Sequence, residues 1–104
     1  MHPAIAEKRG NLVDLCRRYG VTRLDVFGSV ARGVDFNAAT SDVDFLVQFE
    51  PQGDDLAHFL DLKDALEALL ERPVDLVDRK AIEASRNTIR RRRILAGAEP
   101  IYAA

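Results

Sequence analysis

Asp42 and Asp44 stand one residue apart in Ser-Asp-Val-Asp-Phe-Leu-Val, a short distance after Gly28-Ser29. Val43, Phe45, Val47 and Phe49 alternate with Asp42, Asp44, Leu46 and Gln48, so the segment reads as a β-strand with period two. Residues i and i+2 of a strand share a face, roughly 7 Å apart at about 3.3 Å per residue. Two carboxylates are thus held side by side at the start of an otherwise apolar strand. At about 6 Å, with an effective dielectric of about 20, they repel by about 3 kcal/mol. A divalent cation removes the conflict. Hard oxygen ligands of this kind suit Mg²⁺, which binds through one or two carboxylates together with substrate phosphates. The same pair also fits solvated residues at a loop-to-strand boundary, and the spacing by itself leaves both readings open.

Gly28-Ser29 follows the β-branched and aromatic run Leu24-Asp25-Val26-Phe27, and Val30-Ala31-Arg32 fits a short helix stopping at Gly33. A strand that ends in Gly-Ser and opens a helix presents free backbone N–H groups and the positive end of a helix dipole, which is an anion site. Gly28 lets a phosphate approach the backbone, Ser29 adds a hydroxyl donor, and Arg32 adds a charge-assisted bond. No Gly-Lys-Ser/Thr follows, so this is not a P-loop, nor is it the dinucleotide Gly-x-Gly-x-x-Gly pattern. Gly-Ser alone is also a common turn.

Together, Gly28-Ser29, twelve intervening residues and Asp42-Val43-Asp44 resemble the signature of the DNA polymerase β-type nucleotidyltransferase superfamily, and within it the minimal, MntA-like antitoxin nucleotidyltransferases. The likeness runs over nearly the whole chain, to an ending like Ile94-Leu95-Ala96-Gly97-Ala98-Glu99-Pro100-Ile101-Tyr102. It implies an α+β nucleotidyltransferase fold, a small mixed β-sheet packed on one face by helices. It also implies Mg²⁺-dependent transfer of AMP from ATP to a hydroxyl, with two ions expected. On that resemblance Asp42 and Asp44 hold both ions. Asp75, on a third strand, completes the acidic triad, binds the second ion and takes the acceptor proton; Asp78 is the other acidic residue there. Gly28 and Ser29 hold the β- and γ-phosphates, and Ser41 caps or orients Asp42 and touches the triphosphate. The implied partner is a HEPN-domain ribonuclease toxin, silenced by adenylylation of a tyrosine. Two alternatives are a non-catalytic antitoxin that masks its toxin and a transferase with a small-molecule acceptor. Larger members carry an extra domain that grips the acceptor, and its absence here leads us to expect the acceptor on a partner protein.

The elements that must position these residues follow from periodicity. Pro3 starts a helix that places Ile5, Leu12, Leu15, Cys16 and Tyr19 on one face and ends at Gly20. Strands are expected over residues 22 to 28 and 43 to 49, joined by a loop from Val34 to Thr40. Asp54 or Asp55 caps the next helix, whose Leu56, Phe59, Leu60, Leu62, Leu66, Leu69 and Leu70 form a stripe facing the sheet, with His58 at its edge. Pro73 closes that helix, and Val74 to Asp78 is the third strand. A last helix from about Ser85 to Ala96 carries Arg90 to Arg93, spread around its circumference. They read either as a solvated helix end favoured by the dipole or as a contact for phosphates or an acidic partner.

The 104 residues suit one domain, 47% of them hydrophobic and 31% charged, as in ordinary globular proteins. A net charge of −2 argues against direct nucleic-acid binding. The lone Cys16 cannot form an internal disulfide and is expected in the core. With no signal peptide and no apolar run long enough to span a bilayer, a cytoplasmic protein is expected.

Overall fold

The computed structural model describes residues 3–28, 42–50 and 55–104. Its elements are α1 (Pro3–Ala6), α2 (Arg9–Arg18), β1 (Val21–Phe27), β2 (Val43–Phe49), α3 (Asp55–Leu70), β3 (Val74–Asp78), α4 (Arg79–Glu83), α5 (Thr88–Gly97) and β4 (Glu99–Ala103). The four strands form one mixed sheet in the order β3-β2-β1-β4. β1 runs antiparallel to both β2 and β4, and β2 pairs parallel with β3. The parallel pair needs a crossover, and α3 supplies it.

Period-two alternation divides the sheet into two faces. Leu24 and Val26 of β1, Val43, Phe45 and Val47 of β2, and Val74 and Leu76 of β3 bury against Ile5, Leu12 and Cys16 of the first helices and Leu62, Leu66 and Leu70 of α3. The α+β fold with a small mixed sheet is as the sequence implies, but helices cover more than one face. On the opposite side, Leu46 packs with Ile82 of α4 and Ile94 of α5, flanked by Phe27 and Val77. That second cluster escapes the sequence because α4 is only five residues long.

Other boundaries also differ. The first helix breaks after Ala6 and resumes at Arg9. In α3, Leu56 is 70% and Leu60 51% exposed, so the apolar stripe buries only from Phe59 and Leu62 onward. The capping expectation for Asp54 or Asp55, and the loop and short helix expected between Val30 and Thr40, lie outside the described residues. The last helix starts at Thr88, because the Asn87 side chain accepts the N–H of Arg90 at 3.1 Å and so takes the cap. β4 is not among the elements expected from periodicity, and it contains Pro100. It is an edge strand, where a missing N–H is tolerated, with Ile101 bulged out of the ladder between Pro100 and Tyr102. Cys16 is fully buried as expected, and burial pushes its thiol up to about 12. Among the described residues no helix is long and apolar enough to cross a membrane.

Candidate active site

The site forms where β1, β2 and β3 meet on the face opposite the main core. Asp44 is the second residue of β2, and its register partners are Phe27 on β1 and Asp75 on β3. Neighbouring strands lie about 4.8 Å apart, so Asp44 and Asp75 stand abreast on the same side of the sheet. Two bonds hold the strand starts just ahead of them, one between the strands and one from β3 to α3. The Val43 N–H donates to the Pro73 carbonyl at 3.2 Å, and the Val74 N–H donates to Glu67 Oε2 at 3.0 Å. The Val74 bond holds the Glu67 carboxyl below the ordinary range, with Lys63 assisting. Asp78, the alternative third acid, instead accepts the Lys80 N–H and caps α4.

Gly28 ends β1 with φ of +73°. A Cβ there would come within 2.5 Å of Asp44 Oδ2. Only glycine allows this backbone to run in the left-handed region while a carboxylate lies against it. Asp44 is half-buried, and its carboxyl is raised to about 6, first by burial, then by the charge of Asp75 and then by that of Asp42. Asp42 is exposed and precedes the ladder, so no strand pairing fixes it. Among the described residues no three His, Cys, Asp or Glu side chains are gathered tightly enough to hold a metal ion. Asp44 and Asp75 stand abreast in the ladder, and the charge of Asp42 is felt alongside them. Ser29, Arg32 and Ser41 lie outside the described residues.

A cleft of about 750 Å³ opens over the pair, lined by Phe27, Gly28, Asp44 and Asp75 on the sheet side and by Asn87, Ile89, Arg90, Arg93, Ile94 and Gly97 from α5 and its cap. The sequence left Arg90 to Arg93 open between a solvated helix end and a contact for phosphates or an acidic partner, and α5 brings Arg90 and Arg93 to the cleft. A helical face is visible in a sequence, but which face meets the sheet is decided by the buried Ile94.

The model of the nucleotidyltransferase domain family matches residues 12–96. The chain belongs to that family. This nucleotidyltransferase is 42% identical over 71 residues to the protein adenylyltransferase MntA of Thermococcus cleftensis, across 68% of this chain and 69% of that protein. A solved minimal nucleotidyltransferase superposes with a TM-score of 0.74 at 38% identity, covering 96% of each chain. A chain from the complex of an MNT antitoxin with a tri-AMPylated HEPN toxin of Shewanella oneidensis superposes at a TM-score of 0.64 with 19% identity, over 95% of this nucleotidyltransferase and 72% of that chain, a likeness of fold. The activity of the enzyme is nucleotidyl transfer.

Proposed function

We propose that this enzyme transfers AMP from ATP to a tyrosine hydroxyl of a HEPN-type ribonuclease toxin, with Mg²⁺ bound, and acts as its antitoxin. The observation that carries the reading is the register Asp44–Asp75 beside the side-chain-free turn at Gly28. The relatives that match are a protein adenylyltransferase and a toxin–antitoxin complex whose toxin is AMPylated. The donor set suits a hard divalent cation, because Asp44 is strained by two neighbouring carboxylate charges and only oxygen ligands are offered. Asp42 and Asp44 would hold the ions and Asp75 would complete the second position. Bound there, a divalent cation supplies charge neutralisation at the α-phosphorus and a lowered pKa for the attacking hydroxyl.

The chain's own residues do the rest. The backbone at Gly28, with Ser29, Ser41 and Arg32 as proposed partners, orients the triphosphate so that pyrophosphate leaves in line with attack. The Asp75 carboxylate, exposed at the cleft, stands ready to take the proton of the incoming hydroxyl. The new bond joins the tyrosine oxygen to the α-phosphorus, and the bond to the β-phosphate oxygen breaks. Positioning and electrostatics supply most of the rate in this chemistry.

The test is incubation of the purified enzyme with α-labelled ATP, Mg²⁺ and a HEPN-type toxin. Label should pass to the partner and be lost with Asp44→Asn and with Tyr→Phe at the partner's acceptor. Silencing of the toxin without label would favour masking, and label on a small molecule in place of the partner would overturn the protein acceptor.

A further inference from the structure

One side of α5 walls the cleft. Asn87, Arg90, Arg93, Ile94 and Gly97 line it at spacings of three and four residues, which place them on one helical face. Of the four consecutive arginines, two therefore share the cleft with Asp44 and Asp75. Arg91 is occupied elsewhere, donating from Nη1 to the Ser85 carbonyl at 3.2 Å, and Arg92 is exposed away from the cleft lining. Opposite charges that share a cleft ordinarily pair. Here they do not: the ion pairs Arg23–Asp25, Lys63–Glu67 and Arg79–Asp25 found among the described residues involve neither Arg90 nor Arg93. A positive wall and a negative floor face each other with more than bonding distance between them.

A ligand that fits this cleft must present negative charge to α5 and accept a cation at the floor. An acidic peptide would satisfy the arginines and add repulsion at Asp44. A cationic ligand would satisfy the floor and be repelled by the wall. A polyphosphate carrying a divalent ion meets both conditions, and guanidinium groups match phosphate oxygens in geometry as well as charge. We infer that Arg90 and Arg93 form an anion subsite for the polyphosphate of the nucleoside triphosphate, on the side of the cleft opposite the carboxylate pair. The inference rests on the nucleotidyl-transfer reading for its substrate and extends the phosphate contacts beyond those proposed at Gly28 and Ser29.

Calorimetric titration of the wild type, Arg90→Ala/Arg93→Ala and Arg92→Ala with Mg²⁺-ATP, and separately with Mg²⁺-tripolyphosphate, tests it. The double variant should bind both probes at least tenfold more weakly, the Arg92→Ala control within twofold of wild type, and Arg90→Lys/Arg93→Lys should recover part of the loss. Both variants alter exposed side chains, and circular dichroism checks that the helix persists. Unchanged binding by the double variant overturns the subsite, as does an equal loss in the Arg92→Ala control. Binding retained with transfer to the partner lost would assign the arginines to the acceptor and likewise overturn it. Weakened binding of both probes with no transfer by the wild type to any protein would sustain the subsite and sink the toxin-modifying reading. A wild type that binds neither probe overturns both.

Discussion

At the scale of single residues, Asp44 holds its charge against its surroundings. Its folded carboxyl titrates at about 6 against an ordinary 3.8, through burial first and the charges of Asp75 and Asp42 second. Because the folded form keeps the proton to higher pH than the unfolded chain, stability falls as pH rises between those two values and is level above them. At about 1.36 kcal/mol per pH unit the penalty at neutral pH has an upper bound of about 3 kcal/mol, and partial exposure of Asp44 reduces it towards about 1 kcal/mol. Asp44→Asn is therefore expected to raise the melting temperature in EDTA at pH 7.5 by about 4 °C or more and to flatten the slope between pH 4 and 6. A melting temperature several degrees lower would mean that the carboxylate is a structural acceptor instead. The spacing of Gly28, Asp42 and Asp44 made these residues legible before any coordinates. Asp75 was not legible that way, since its partnership with Asp44 depends on two strands separated by a whole helix; only the family resemblance pointed to it.

Among elements, α4 is the least visible in the sequence and among the most constrained. Its first residue, Arg79, reaches Asp25 on β1, a fully buried carboxylate that also accepts from Arg23 Nε at 3.1 Å and Nη2 at 3.3 Å. Asp25 faces the same side of β1 as Phe27, so this ion network ties the short helix over the sheet next to the site. Removing one partner of a buried pair commonly costs about 3–5 kcal/mol, while replacing both with apolar groups is often neutral. Arg79→Met should destabilise by about 3 kcal/mol, tempered by the remaining Arg23, and Asp25→Leu/Arg79→Met should recover much of the loss. Urea denaturation midpoints of the two variants decide it, and equal destabilisation in single and double variants would refute a pairwise account. β1, β2, β3 and α3 were readable because each carries a full period of apolar residues. α4 and β4 were not: five residues give too few repeats, and Pro100 counts against a strand unless the edge position is known.

For the molecule as a whole, the proposed nucleotide binding would be linked to folding. Saturating Mg²⁺-ATP should stabilise the wild type by about 2.7 kcal/mol at a hundred times the dissociation constant, and Asp44→Asn much less. Thermal melts at increasing nucleotide concentration read this directly; the same shift in both proteins would detach Asp44 from binding. The two-faced alternation of β2 adds a consequence for inheritance. Val43, Phe45 and Val47 anchor the main core, while Asp44, interleaved between them, points into the cleft. A mutation that disarms the enzyme therefore need not lower its abundance. A lineage could carry a silent but folded copy and regain chemistry through a single codon.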